Sequence, residues 1–198
     1  MRSPEYLSVP VPSNQLSAWY EIADLNHFWV IWRFKVLKKQ TMLLPKTGSQ
    51  VFEIGCGNGL VLAQLEAEFG YTADGCDLNP AALQQVGQGA GKLWCYNVFD
   101  QKKELLGAYP LVLLFDVLEH VEDDQAFLKM AVAHCCDGGV VALNVPASST
   151  LFSKYDIAAG HYRRYSKKEI RALLERAGLT PLKVSYWGLL LFPLLLIR

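Results

Sequence analysis

From residue 50 onward, short β-rich runs alternate with helical patterns, and this alternation limits the fold more than any other feature of the chain. "QVFEI" (50–54), "TADGCD" (72–77) and "KLWCYN" (92–97) read as strands, and "LVLAQLEAEF" (60–69) as a helix with apolar spacing. "PAALQQVG" (80–87) reads as a helix with proline in its first turn. "LVLLFDV" (111–117) and "VVALNVP" (140–146) are continuous apolar runs, the kind buried on both faces of a parallel sheet. Between them "DDQAFLKMAVAHCC" (123–136) reads as a helix stopped by Gly138 and Gly139. "SKKEIRALLERAG" (166–178) is a helix with Ser166 at its N-cap and Gly178 at its stop, and "LKVSYW" (182–187) a last strand. Strands and helices in this order predict an α/β fold: a doubly wound, mostly parallel sheet with right-handed crossovers. Residues 1–45 precede it as an extended, proline-bearing arm and a helical cap over 16–43, interrupted near Asn26; residues 46–198 form the sheet-bearing part of a single domain.

Three glycines, Gly55, Gly57 and Gly59, follow the first of these strands directly. In a doubly wound sheet, ligands bind outside the carboxyl ends of the strands, where strand order reverses. Glycine there lets a ligand approach the main chain without a β-carbon in the way, and the helix that follows offers unpaired N–H groups. The spacing is not that of the dinucleotide fingerprint GxGxxG, whose third glycine falls five residues after the first; here it falls four after. The lysine of a P-loop is also missing. Asp77 ends the second strand about 20 residues on, where a carboxylate can accept hydrogen bonds from both hydroxyls of a ribose.

Charge and cysteine content exclude some classes. Nineteen basic and nineteen acidic residues give a formal charge of zero, which argues against a nucleic-acid partner. The five cysteines are odd in number and contain no CxxC pair, which argues against both a disulfide framework and a zinc site. Asp123 and Asp124 are expected to open a helix rather than to hold a metal, and no metal is expected. The N-terminus lacks the apolar core of a signal peptide, so the cytoplasm is the expected location.

"VFEIGCGNG", "GCDLNP" and "LVLLFDVLEHVEDD", in this order, resemble the successive motifs of the class I S-adenosylmethionine-dependent methyltransferases, over roughly residues 50 to 187. "NHFWVIWRF" and "GHYRRYSKKEI" are similar to a bacterial subgroup associated with glycan or lipid-linked assembly. "DVLEH" and the histidine-bearing segment after the fifth strand also resemble the ubiquinone-biosynthesis O-methyltransferases. The resemblance implies a Rossmann-like methyltransferase fold, normally closed by an antiparallel strand for which this sequence offers no partner after Trp187. It implies S-adenosylmethionine as cofactor and S-adenosylhomocysteine as product. Glu53, Gly55, Cys56, Gly57 and Gly59 would surround the methionine and ribose, Asp77 the ribose, and Leu78 the adenine. Asn97, with Val98 beside it, would meet the adenine amino group, Asp100 being the competing candidate. Phe115 and Asp116 would lie next to the methyl group.

His120 and His161 follow the fourth and fifth strands on the ligand edge, and either suits the role of base toward a hydroxyl acceptor. Trp29 (with Trp19 and Trp32), Tyr155, Arg163 and Arg164 are the candidate acceptor-side residues, the tryptophans competing for a place in the core and the arginines for solvated charge. The expected acceptor is a small molecule or one linked to lipid or glycan. A non-catalytic domain that senses S-adenosylmethionine is the alternative, and a nicotinamide-dependent dehydrogenase a weaker one. The closing run "GLLLFPLLLIR" (188–198) is shorter than a membrane span. It is expected either to pack into the core or to attach the protein peripherally to a membrane.

Overall fold

The computed structural model describes residues 2–11 and 23–188. Trp19 and the apolar run from residue 189 onward lie outside the described residues. Six strands form one sheet: β1 (Glu5–Tyr6), β2 (Gln50–Ile54), β3 (Thr72–Asp77), β4 (Leu93–Cys95), β5 (Tyr109–Phe115) and β6 (Cys135–Asn144), in the order β1-β4-β3-β2-β5-β6, with every pairing parallel. The expected doubly wound sheet is therefore present. Strand order reverses at β2, which pairs with β3 on one side and β5 on the other. The site crevice opens at the carboxyl ends of those strands.

The helices are α1 (Phe28–Lys38), α2 (Leu60–Phe69), α3 (Pro80–Leu83), α4 (Asp124–Val132), α5 (Lys154–Ala158) and α6 (Lys167–Arg176). Alternation along β5 builds a core on each face. Leu111, Leu113 and Phe115 pack with Phe34 and Leu37 of α1 and Leu62 and Leu65 of α2. Val112 and Leu114 pack with Leu128 of α4 and Ile170 and Leu173 of α6. The predicted caps hold: the Ser166 side chain accepts from Glu169 N while Glu169 reaches back to the Ser166 N–H, a full capping box.

Four elements differ from their expected form. The arm is more than an extended lead, because Glu5 and Tyr6 add a parallel strand beside Trp94 and Cys95. Its two residues carry no β pattern that a sequence reading detects. The helix expected over 80–87 stops at Leu83. The helix expected over 123–136 stops at Val132, and Cys135 and Cys136 begin β6 instead of packing at a helix end. His134, fully buried, makes this early stop possible: its ring bonds back to the Met130 carbonyl at 2.9 Å and to the Tyr96 hydroxyl at 3.0 Å. Finally, residues 182–187 form no strand; Trp187 turns toward the site instead, its indole N–H on Asn144 Oδ1 at 2.8 Å.

One polar group supports the far end of the sheet. The Asp74 carboxylate is fully buried and accepts from Lys92 N (2.6 Å), Gln50 Nε2 (2.6 Å) and the Tyr109 hydroxyl (2.9 Å). Replacing it with alanine strands three donors, the Tyr109 hydroxyl buried and the other two half-buried, at about 1–3 kcal/mol for each that water does not reach. Asp74→Ala is expected to lower stability by roughly 3 kcal/mol or more, measured by urea unfolding. A loss under about 1 kcal/mol would mean that water replaces the carboxylate.

Candidate active site

The turn after β2 is built from left-handed backbone. Gly55, Gly57 and Gly59 have φ of 75°, 53° and 77°. A β-carbon on Gly55 would lie 2.5 Å from Val117 Cγ2, and one on Gly59 2.6 Å from Val86 Cγ1. Backbone angle and space therefore both require glycine at these two positions. The turn delivers Gly59 as the N-cap of α2, so the first N–H groups of the helix face the crevice.

Asp77 braces this turn. One carboxyl oxygen accepts from Gly57 N (2.9 Å) and the other from Asn79 N (2.8 Å). Burial raises its pKa, and these backbone donors partly offset the rise. Each oxygen keeps a lone pair for a ligand hydroxyl. Leu78 packs partly buried beside it, and the arm passes close by, Val11 N donating to the Leu78 carbonyl at 2.8 Å. Asn97 caps the next turn, its Oδ1 accepting from Phe99 N at 3.1 Å; Val98 is buried. Asp100, the competing candidate, accepts from the Ser8 hydroxyl at 2.5 Å.

Glu53 is buried and its Oε2 has no hydrogen-bond partner. Burial pushes its pKa up to about 8; Arg33 opposes the rise, and Asp77 and Asp116 add to it. Cys56 is a buried thiol whose pKa is driven well up by burial and by Asp77, which suits a small packing side chain and not a nucleophile.

At the end of β5, Asp116 holds a left-handed φ of 59°. Its carboxylate pairs with Arg33 of α1 (2.5 Å) and accepts from the Asn144 amide. Arg33 also lies over the buried Phe115 ring, 5.3 Å from its centroid. Sequence reading missed Arg33. Its burial on a helix that also carries exposed Lys35 has no signature in spacing alone. Trp29, together with Trp32, meets Trp187, at centroid separations of 4.5 and 5.8 Å.

His120 and His161 come together, ring centroids 4.6 Å apart and nearly perpendicular. His161 Nδ1 lies 2.9 Å from Asp156 Oδ1. Asp156 is itself buried, bonded to Arg164 Nε (2.8 Å) and to the Ser153 N–H, with its pKa lowered by these partners. An ionised Asp156 makes His161 Nδ1 the donor and leaves Nε2 with the lone pair. The pKa of His120 falls to about 4 through burial and the neighbouring His161. Arg163 is held by Asp124 (2.9 Å) and the Glu122 carbonyl (2.6 Å), so both candidate arginines already have partners within the chain. Tyr155 is exposed on α5. Asp123 caps α4 by accepting from Ala126 N (2.9 Å), and Asp124 accepts from the Tyr165 hydroxyl (2.9 Å). Glu119, also missed from sequence, is 1% exposed, and its Oε2 has no partner.

The residues present fit the cofactor that the motifs imply. The left-handed glycine turn brings the first N–H groups of α2 to the strand ends, and the buried Glu53 oxygen without a partner lies among carboxyl groups there. A sequence profile described as a methyltransferase domain matches residues 29–184, and the chain belongs to that family. Its class is that of the S-adenosylmethionine-dependent methyltransferases. A ubiquinone biosynthesis O-methyltransferase of Vibrio parahaemolyticus is 31% identical over 115 residues, covering 54% of this chain and 48% of the relative. One from Thiobacillus denitrificans is 28% identical over 151 residues, covering 72% and 60%. The chain thus spans about half to three fifths of the length of these curated relatives. Among solved structures, phosphoethanolamine N-methyltransferase 2 of Haemonchus contortus in complex with S-adenosyl-L-methionine superposes with a TM-score of 0.66 at 19% identity, covering 84% of this chain and 41% of that one. At that identity the likeness is one of fold.

Glu53 should leave a pH signature on the ligand-free protein. Its folded pKa of about 8 lies above the unfolded value of 4.5, so the native state holds a proton that the unfolded chain has released in between. Stability is therefore lost as pH rises from about 4.5 to 8, on the order of a few kcal/mol. Glu53→Gln removes this term. Its melting temperature relative to the parent should climb steadily between pH 5 and 8; a pH-independent difference would show that the carboxyl does not titrate there.

Proposed function

We propose that this chain transfers a methyl group from S-adenosylmethionine to a hydroxyl oxygen of a small or amphiphilic acceptor. The observation that carries the reading is an excess of acid. Glu53, Asp77, Asp116 and Glu119 gather at the strand ends against Arg33 and Arg164, and Arg164 is already held by Asp156. Such a site favours a ligand with cationic centres, and S-adenosylmethionine carries a sulfonium and an ammonium. It disfavours the pyrophosphate of a nicotinamide dinucleotide, which would face the same carboxyls.

When bound, S-adenosylmethionine supplies a methyl group made electrophilic by its sulfonium. The chain's own residues do the rest. Asp77 accepts from the ribose hydroxyls, Leu78 packs on the adenine, and Asn97 Oδ1 has a second lone pair for the adenine amino group. Main-chain oxygens near Phe115 and Asp116 accept from the ligand ammonium. His161, its Nδ1–H fixed on Asp156, takes the acceptor's hydroxyl proton at Nε2. Trp29 and its aromatic partners form an apolar wall that suits an amphiphilic acceptor, one linked to lipid or glycan included. The ubiquinone-biosynthesis relatives, named as O-methyltransferases, support oxygen as the site of transfer.

Two substitutions test the roles. Asp77→Ala should weaken S-adenosylhomocysteine binding by about 30- to 1000-fold, or roughly 2–4 kcal/mol, in a folded protein; unchanged calorimetric affinity would remove the ribose assignment. His161→Ala should lower turnover of labelled cofactor by about 100- to 10,000-fold while cofactor affinity changes little. Near-normal turnover would end its role as base. No turnover by the parent on any phenol, sugar or lipid-linked acceptor would favour a sensing domain.

A further inference from the structure

Glu119, His120 and His161 each offer one ligand atom, and the three atoms lie within 4.8 Å of one another. We propose that these three side chains bind a divalent transition-metal ion of the zinc class beside the methyl-transfer site. The inference deepens the reading above and rests on it only for what the ion would do, not for whether it binds.

Four features distinguish this cluster from an ordinary group of polar residues. Two imidazoles and one carboxylate are a donor set that suits zinc and its neighbours and leaves a coordination position open. Glu119 contributes a buried carboxyl oxygen, Oε2, that nothing else in the chain satisfies. Burying such an atom without a partner is costly, and an ion would supply the partner. His161 is also held from behind. It donates its Nδ1–H to Asp156. Metal-binding histidines are typically fixed in this way, their second nitrogen on a carboxylate or carbonyl. Finally, the backbone ties the two segments together, Tyr162 N donating to the Glu119 carbonyl at 2.7 Å.

An ion about 2.0–2.2 Å from each ligand would draw the three atoms to roughly 3.3 Å apart, a contraction of at most about 1.5 Å. Side-chain rotation of Glu119 and the exposed rim of His120 can supply it. The open position would face the acceptor. A hydroxyl oxygen bound there would release its proton to solvent and be held as an alkoxide or phenoxide. Proton and metal ion thus compete for the same lone pair on His161 Nε2.

The test reads binding, not turnover. The full chain, stripped with chelator, is titrated with Zn2+ by calorimetry and with Co2+ by visible absorption. One equivalent should bind. Asp156→Asn should weaken it by about 10- to 100-fold, and His120→Ala and Glu119→Gln by at least about 100-fold, while the far-ultraviolet circular dichroism spectrum stays that of the parent as evidence of folding. Absence of binding by the parent overturns the proposal. So does binding that survives both His120→Ala and Glu119→Gln, or a Co2+ spectrum with thiolate charge-transfer bands, which would place the ion on Cys135 and Cys136. If no ion binds, His161 stands as the proton acceptor; if the ion binds but no acceptor turns over, the site stands and the transfer reading falls.

Discussion

The ion pair between Arg33 and Asp116 organises the site end of this molecule. Asp116 directly follows strand β5 in a left-handed conformation that an aspartate adopts only at some cost, about 1–3 kcal/mol where it is strained. Three contacts hold it there: the Arg33 guanidinium, the Asn144 amide, and its own N–H on the Asn144 carbonyl. Through these contacts, α1 from before the sheet, the two strands β5 and β6, and Trp187 from after it become one unit. Without Arg33 a carboxylate would remain in a half-buried crevice beside two others, and α1 would lose its only charged anchor to β5 among the described residues.

The same arrangement explains why the crevice is acidic. Glu53, Glu119 and Arg33 each retain a buried polar atom with no partner inside the chain. Fully satisfied interiors are the rule, so three such atoms near one strand-end crevice mark a place arranged for something the polypeptide does not itself provide. The burial of Glu53 and Glu119 raises their pKa values and disfavours their charge until a cationic partner arrives. Affinity for a positive ligand and instability in its absence then have a common origin.

Much of this was legible from residue order. The alternation of apolar strands and amphipathic helices implied the parallel sheet. Gly55, Gly57, Gly59 and Asp77 lie where the turn and strand-end arguments put them, because local backbone demands dictate those residues. Arg33 and Glu119 were not legible. Their significance comes from burial and from partners 83 residues away for Arg33 and in another loop for Glu119, and a single chain carries no periodicity that reports such pairing. The histidines stood out by type and position, but their contact, and the Asp156 behind His161, are products of the loop after β6 folding back on the one after β5. The strand expected over 182–187 failed for a related reason: its apolar alternation was real, but Trp187 finds its partners in Trp29, Trp32 and Asn144.

The arm has a further consequence. Glu5 and Tyr6 pair with Trp94 and Cys95, about ninety residues later in the chain, and Arg2 bonds to Glu66 and to the Ala73 carbonyl. On a ribosome the arm therefore emerges long before the edge it will join exists, and it must wait, unpaired, while β2, β3 and β4 are made. Closing so long a loop is entropically slow, and a two-residue strand gains little by doing so early. The arm is expected to dock last, and the Leu78 side of the crevice, across which Val11 lies, to be the last part of the site to take its final shape.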